Sequence, residues 1–175
     1  MSERLTPKYL TKEVAETAVE MVLKGFVFDS RMDQVIDGHN CHIVVLVPSV
    51  EDARLSGYPN WPHYPITPVC IYEKSTGDTE KWSYPFKQIA SCKAMQLWRA
   101  RIPTATQTRC PISLFPDDTP YWGGVNRHGI VVACSGFQGY FDQMISGMIA
   151  DAIKAFARFH FENSDDVKKE LSFLG

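Results

Sequence analysis

Apolar residues recur along this chain in two rhythms, and each change of rhythm marks a new element. Val14, Ala18, Met21 and Val22 fall roughly on one side of a segment that Thr11 can cap, with Lys12, Glu13, Glu16 and Glu20 mostly elsewhere. That spacing predicts a helix running to about Lys24. The β-branched run His42–Val47 predicts a strand stopped by Pro48, and Val69–Glu73 predicts the next. Residues 57–68 between them hold four prolines and three large aromatics, so the two strands form a hairpin with an unusually long connection. Connections of that length tend to carry function or an interface.

Proline at 85 suits a helix start, and the segment from Phe86 to Arg101 reads as helical up to Pro103. Residues 103–120 read as irregular, with a short strand near Ile112–Phe115. Tyr121–Val125 and Gly129–Ser135 then read as two strands separated by Asn126, Arg127 and His128. Ile130, Val132 and Cys134 would face one side, and Val131, Ala133 and Ser135 the other. After Gly136 the period lengthens. Phe141, Met144, Ile145, Met148, Ala152, Ala155, Phe156 and Phe159 recur at helical spacing, with Gln143, Lys154 and Arg158 opposite. Residues 161–175 read as a C-terminal tail. The order is α-β-β-α-β-β-α, an α/β fold in a single domain over residues 1–175.

Composition narrows the partners. The chain has 175 residues, 45% hydrophobic and 22% charged, with a formal net charge of −2. Its longest basic cluster, Lys168-Lys169, is flanked by acids, so nucleic acid is not an expected partner. No window approaches about 18 apolar residues, so no membrane span is expected. Acidic residues interrupt the first segment, which argues against a secretory leader. Five scattered cysteines without a C-x-x-C pair suggest a reducing, cytoplasmic setting, and the histidines have no metal-ligand spacing.

Neither a Walker loop nor a dinucleotide glycine fingerprint occurs. The chemistry-bearing candidates lie elsewhere. Lys93 falls among Phe86, Ile89, Ala90 and Leu97, within an apolar stripe. Either it extends along its stem to water, or it projects into a cleft, where low dielectric strengthens its pull on a ligand carboxylate or an internal acid. Asp142 lies in the first turn of the last helix, where a carboxylate suits the dipole and can serve a ligand or only the helix. Gly123-Gly124 and Ser135-Gly136 permit close backbone approach, by a ligand or by packing. Cys134, in an apolar strand, reads as a buried inert thiol. Trp61, His63 and Tyr64, with Tyr58, can line an aromatic pocket, supply an axial haem ligand, or form an oligomer contact.

Taken in order, several motifs resemble the GlcG/HbpS-like haem-binding family, which includes the C-terminal domain of PduO-type proteins. They are Ile89-Ala90-Ser91-Cys92-Lys93-Ala94, Gly123-Gly124-Val125, Val132-Ala133-Cys134-Ser135-Gly136 and Phe141-Asp142-Gln143. The resemblance spans about residues 10–160. It implies a central antiparallel sheet flanked by helices, profilin-like in outline, in a homo-oligomer that binds haem or another small ligand. Residues 49–68 replace the family's short turn, and Lys74-Ser75-Thr76 does not match its arginine-methionine-aspartate.

Three functions stay open at this point. The first is a small-molecule-binding protein for haem or an aromatic or other organic acid. There Lys93 anchors a carboxylate, the Gly123-Gly124 and Ser135-Gly136 backbones line the pocket, and Trp61, His63 and Tyr64 close over it. The second is an isomerase- or lyase-type enzyme using Lys93 and Asp142 for proton transfer. The third is an assembly subunit whose aromatic loop meets a partner.

Overall fold

The computed structural model describes residues 4–36, 38–51, 66–100 and 114–171. Its organising element is strand β2 (Cys41–Glu51), preceded by the two-residue β1 (Arg4–Leu5), which pairs with the far end of β2. On one edge β2 pairs antiparallel with β3 (Thr67–Thr76), from Cys41↔Thr76 to Ser49↔Thr67. On the other it pairs antiparallel with β5 (Ile130–Ser135), from His42↔Ser135 to Leu46↔Val131. β5 in turn pairs with β4 (Gly124–Arg127), so four antiparallel strands lie in the order β3-β2-β5-β4.

The period of two along these strands sorts the core into two layers. Cys41, Ile43, Val45, Val132 and Cys134 face helices α1 (Lys12–Val22) and α3 (Gly139–Glu162). Val44, Leu46, Val131 and Ala133 face α2 (Phe86–Ala100), meeting Ala90, Ala94 and Leu97. The chain is thus an α/β structure with helices on both faces of an antiparallel sheet. A short α4 (Asp165–Lys168) follows α3. Among the described residues, no helix is long and apolar enough to cross a membrane.

The helix limits follow local chemistry. Thr11 Oγ1 accepts a hydrogen bond from the Val14 N–H at 3.3 Å and caps α1, which passes into a π-helical turn at Leu23–Val27. Pro85 precedes α2, and its carbonyl accepts from the Ile89 N–H at 3.0 Å.

Four expectations need correction. Pro48 does not stop β2, because the β5 ladder has already ended at Leu46↔Val131 and a missing N–H costs little where one edge is unpaired. The β4–β5 connection is only His128-Gly129, both at positive φ (54° and 87°), which lets a two-residue turn follow the strand twist. No strand forms at Leu114–Phe115; Ile112 lies outside the described residues. The buried face of α3 is rotated from the purely apolar stripe: Ile145, Ile149, Ala150 and Ile153 are buried with Asp142 and Ser146, while Met144, Met148 and Phe159 are exposed. Two polar residues belong to the inner face because they serve the end of β5.

Candidate functional site

The end of β5 is where the two helical layers come together. β4 stops pairing at Gly124↔Ala133, and the next rung would set Gly123 opposite Cys134. Side chains fill that place instead. Ser146 Oγ, from α3, accepts the Cys134 N–H at 3.0 Å, and Lys93 Nζ, from α2, donates to the Cys134 carbonyl at 2.9 Å. The backbone groups that a longer β4 would pair are therefore satisfied by two helices from opposite faces.

Lys93 Nζ also donates to Asp142 Oδ2 at 2.8 Å, and both residues are 2% exposed. The other carboxylate oxygen accepts the Phe137 N–H at 3.1 Å, while Ser146 Oγ donates to the Asp142 carbonyl at 2.6 Å. Burial pushes the Asp142 carboxyl up to about 6, even though the Lys93 ammonium beside it pulls the other way. Asp142 therefore holds a proton more tightly than an ordinary carboxyl.

Glycine makes this approach feasible. A Cβ on Gly123, whose φ is 118°, would stand 2.5 Å from Asp142 Cβ and 2.7 Å from the Gly139 carbonyl oxygen. One on Gly124 would meet Leu97 Cδ1 at 2.9 Å and the Val132 carbonyl at 3.0 Å. Gly136, at φ 152°, passes against the backbone of Asn40 and Cys41. Ser135, the last residue of β5, is buried opposite His42.

Of the residues singled out from sequence, the structure gathers Lys93, Asp142, Gly123, Gly124, Ser135 and Gly136 at this one end of the sheet. Trp61, His63 and Tyr64 lie outside the described residues. The Lys93 ammonium goes neither to water nor into an open cleft: it meets an internal acid. Two hollows, of about 570 Å³ beside Tyr9, Val14 and Phe156 and about 580 Å³ beside Trp82, Lys87 and Ser91, do not reach Lys93 or Asp142.

Cys134 is fully buried beside the Cys41 thiol, and burial holds its own thiol well above the usual range. This matches an inert strand thiol. Among the described residues, no group of three or more His, Cys, Asp or Glu side chains is placed to hold a metal.

Sequence reading missed Ser146 and the Cys41–Cys134 contact. It also missed a second polar cluster around His42, Ser75 and Glu73. The available signal was a histidine on the Val44–Leu46 face of an otherwise β-branched run. No protein-family model, curated protein or solved structure matches this chain.

Proposed function

We propose that this chain is a small-molecule-binding protein whose ligand is an organic acid that binds by displacing Asp142 from Lys93, opening the pair that is closed at the end of the sheet. The observation carrying this reading is the buried 2.8 Å pair with a carboxyl raised to about 6. An ammonium has three donors, of which Asp142 and the Cys134 carbonyl occupy two. A ligand carboxylate that competes for Lys93 leaves Asp142 beside a second negative charge, and Asp142 then takes up a proton. Ligand uptake and proton uptake are coupled.

The test is calorimetric titration with benzoate and with small aromatic and keto acids, in buffers of different ionisation enthalpy. Saturable binding with proton uptake, lost in a folded Lys93→Met variant, supports the reading. Binding to none of these acids, or equal binding by Lys93→Met, overturns it. Haem is the second candidate ligand and rests on His63 and the GlcG/HbpS resemblance, as does the profilin-like outline. A Soret band on haem titration that His63→Ala removes or shifts supports it.

A proton-transfer enzyme is the second reading, favoured by the proton affinity of Asp142 next to a fixed cation. Lys93 would polarise a carbonyl while Asp142 moves a proton on the adjacent carbon, as in an isomerase or lyase. Turnover lost in folded Lys93→Met and in Asp142→Asn supports it, whereas turnover surviving Lys93→Met excludes Lys93 as the catalytic group. For either reading a homo-oligomer is proposed, supported by the exposed Tyr140, Met144 and Met148 at successive turns of α3. A drop in mass by light scattering for Met148→Glu tests that assembly.

A further inference from the structure

A separate polar cluster lies on the α2 face of the sheet, at its β3 edge. His42 of β2 is 1% exposed, and its Nδ1 lies 2.8 Å from the hydroxyl of Ser75, its direct cross-strand partner on β3. Nε2, buried on the other side of the ring, has no hydrogen-bond partner among the described residues. Glu73, two residues along β3 and so on the same face, brings Oε2 to 3.5 Å from it. Lys87 of α2 fixes that carboxylate by donating to Oε1 at 2.6 Å.

These groups set one another's roles. A carboxylate beside Nε2 favours the tautomer that carries its proton there, leaving the Nδ1 lone pair to accept from the Ser75 O–H. Burial holds the imidazole below its ordinary protonation range, so it is a neutral base at neutral pH, although Glu73 pulls the other way. Hydroxyl, base and orienting acid in hydrogen-bond sequence are the parts of an activated nucleophile. Ser75 is half-buried on β3, which among the described residues pairs only with β2. Trp82 packs edge-on to His42 with ring centroids 6.4 Å apart, and its buried indole N–H has no hydrogen-bond partner among the described residues. The same tryptophan lines the hollow of about 580 Å³ with Pro85, Lys87, Gln88 and Ser91.

We propose that Ser75 is a nucleophile for acyl transfer, with His42 as its general base, acting on small esters that seat in the hollow beside Trp82. Ser75 Oγ attacks the ester carbonyl carbon as its proton passes to His42 Nδ1. The carbon–oxygen bond to the leaving alcohol breaks, and His42 returns the proton to that alcohol. Water then attacks the acyl-serine, giving a proton to His42 that is passed back to Ser75 Oγ, and a carboxylic acid is released. The Trp82 indole N–H is the donor for the carbonyl oxygen as it gains charge. Glu73 is a positioning residue that acts through His42.

The experiment is incubation of the full chain with a fluorophosphonate probe, followed by intact mass and peptide mapping. One phosphonyl adduct on Ser75 is expected, absent in Ser75→Ala and formed at least about 10²-fold more slowly in His42→Gln. Circular dichroism and a melting curve establish that both variants fold. Because Glu73 raises the proton affinity of His42, Glu73→Gln should move the pH midpoint of labelling downward. If His42→Gln fails to fold, the Ser75→Ala mapping and that midpoint decide. No adduct, an adduct on another residue, or labelling of Ser75→Ala at the parent rate overturns the proposal. Lys93 and Asp142 take no part in this reaction, so the result is independent of ligand binding at that pair.

Discussion

Lys93 and Asp142 belong to helices packed on opposite faces of the sheet, yet their charged atoms meet 2.8 Å apart where β5 ends. The carbonyl of Cys134 completes the ammonium's surroundings, so the contact ties α2, α3 and β5 together at one point.

Removing one partner should cost far more than removing both. Lys93→Met leaves a buried carboxylate without its cation, a loss of about 3–5 kcal/mol near pH 7.5. At pH 5, where Asp142 is mostly protonated, the loss should shrink. Lys93→Met/Asp142→Leu should recover much of the deficit. Urea denaturation of the three chains at both pH values measures each effect.

The proton affinity of Asp142 sets a sign for pH dependence. Its carboxyl titrates near 3.8 when unfolded and near 6 when folded. Between those values the folded chain keeps a proton that the unfolded chain has released, so stability falls as pH rises through the window. The contribution is complete below 3.8 and lost as pH climbs through 6, amounting to about 3 kcal/mol. Other acids titrate in the same range, so the measurement is the difference between the parent and Asp142→Asn. That difference should change across pH 4–6 and be flat on either side.

Gly123 and Gly25 should respond oppositely to alanine. A Cβ at Gly123 meets Asp142 Cβ at 2.5 Å from a backbone at φ 118°, so Gly123→Ala should cost more than about 2 kcal/mol. Gly25 has nothing within 4 Å of the same atom and sits in a helical turn, so Gly25→Ala should gain roughly 0.5–1 kcal/mol. Thermal melts of both variants settle the contrast.

Ser146 should behave as part of the β5 ladder rather than as a surface serine. It is fully buried, and Ser146→Ala leaves the Cys134 N–H without its acceptor, a cost of about 1–3 kcal/mol. Amide hydrogen exchange at Cys134 should accelerate more than at Val132, whose pairing with Val125 is intact.

Much of this arrangement is legible in the residues themselves. Alternation along β5 correctly separates Ile130, Val132 and Cys134 from Val131 and Ala133. Lys93 stands out because an ammonium in an apolar stripe demands a partner. The identity of that partner depends on how β5 turns into α3, which no local pattern specifies. The phase of α3 is misread for a related reason: the apolar stripe includes neither Asp142 nor Ser146, and nothing local places them inside until the unfinished rung at Cys134 is known. The His42–Ser75 contact depends on strand register across a long connection, and a one-residue slip would place Ser75 on the other face.

The β2–β3 ladder has a practical corollary. Since Ser49 faces Thr67 and Ser49 Oγ donates to the Thr67 carbonyl at 3.0 Å, the two ends of the intervening segment are pinned side by side by the sheet itself. Closing that gap with a different number of residues changes loop entropy only slowly. Inserting or removing residues between positions 51 and 66 should therefore leave the ladder from Cys41↔Thr76 to Ser49↔Thr67 in register, which makes this stretch of sequence a natural port for grafts.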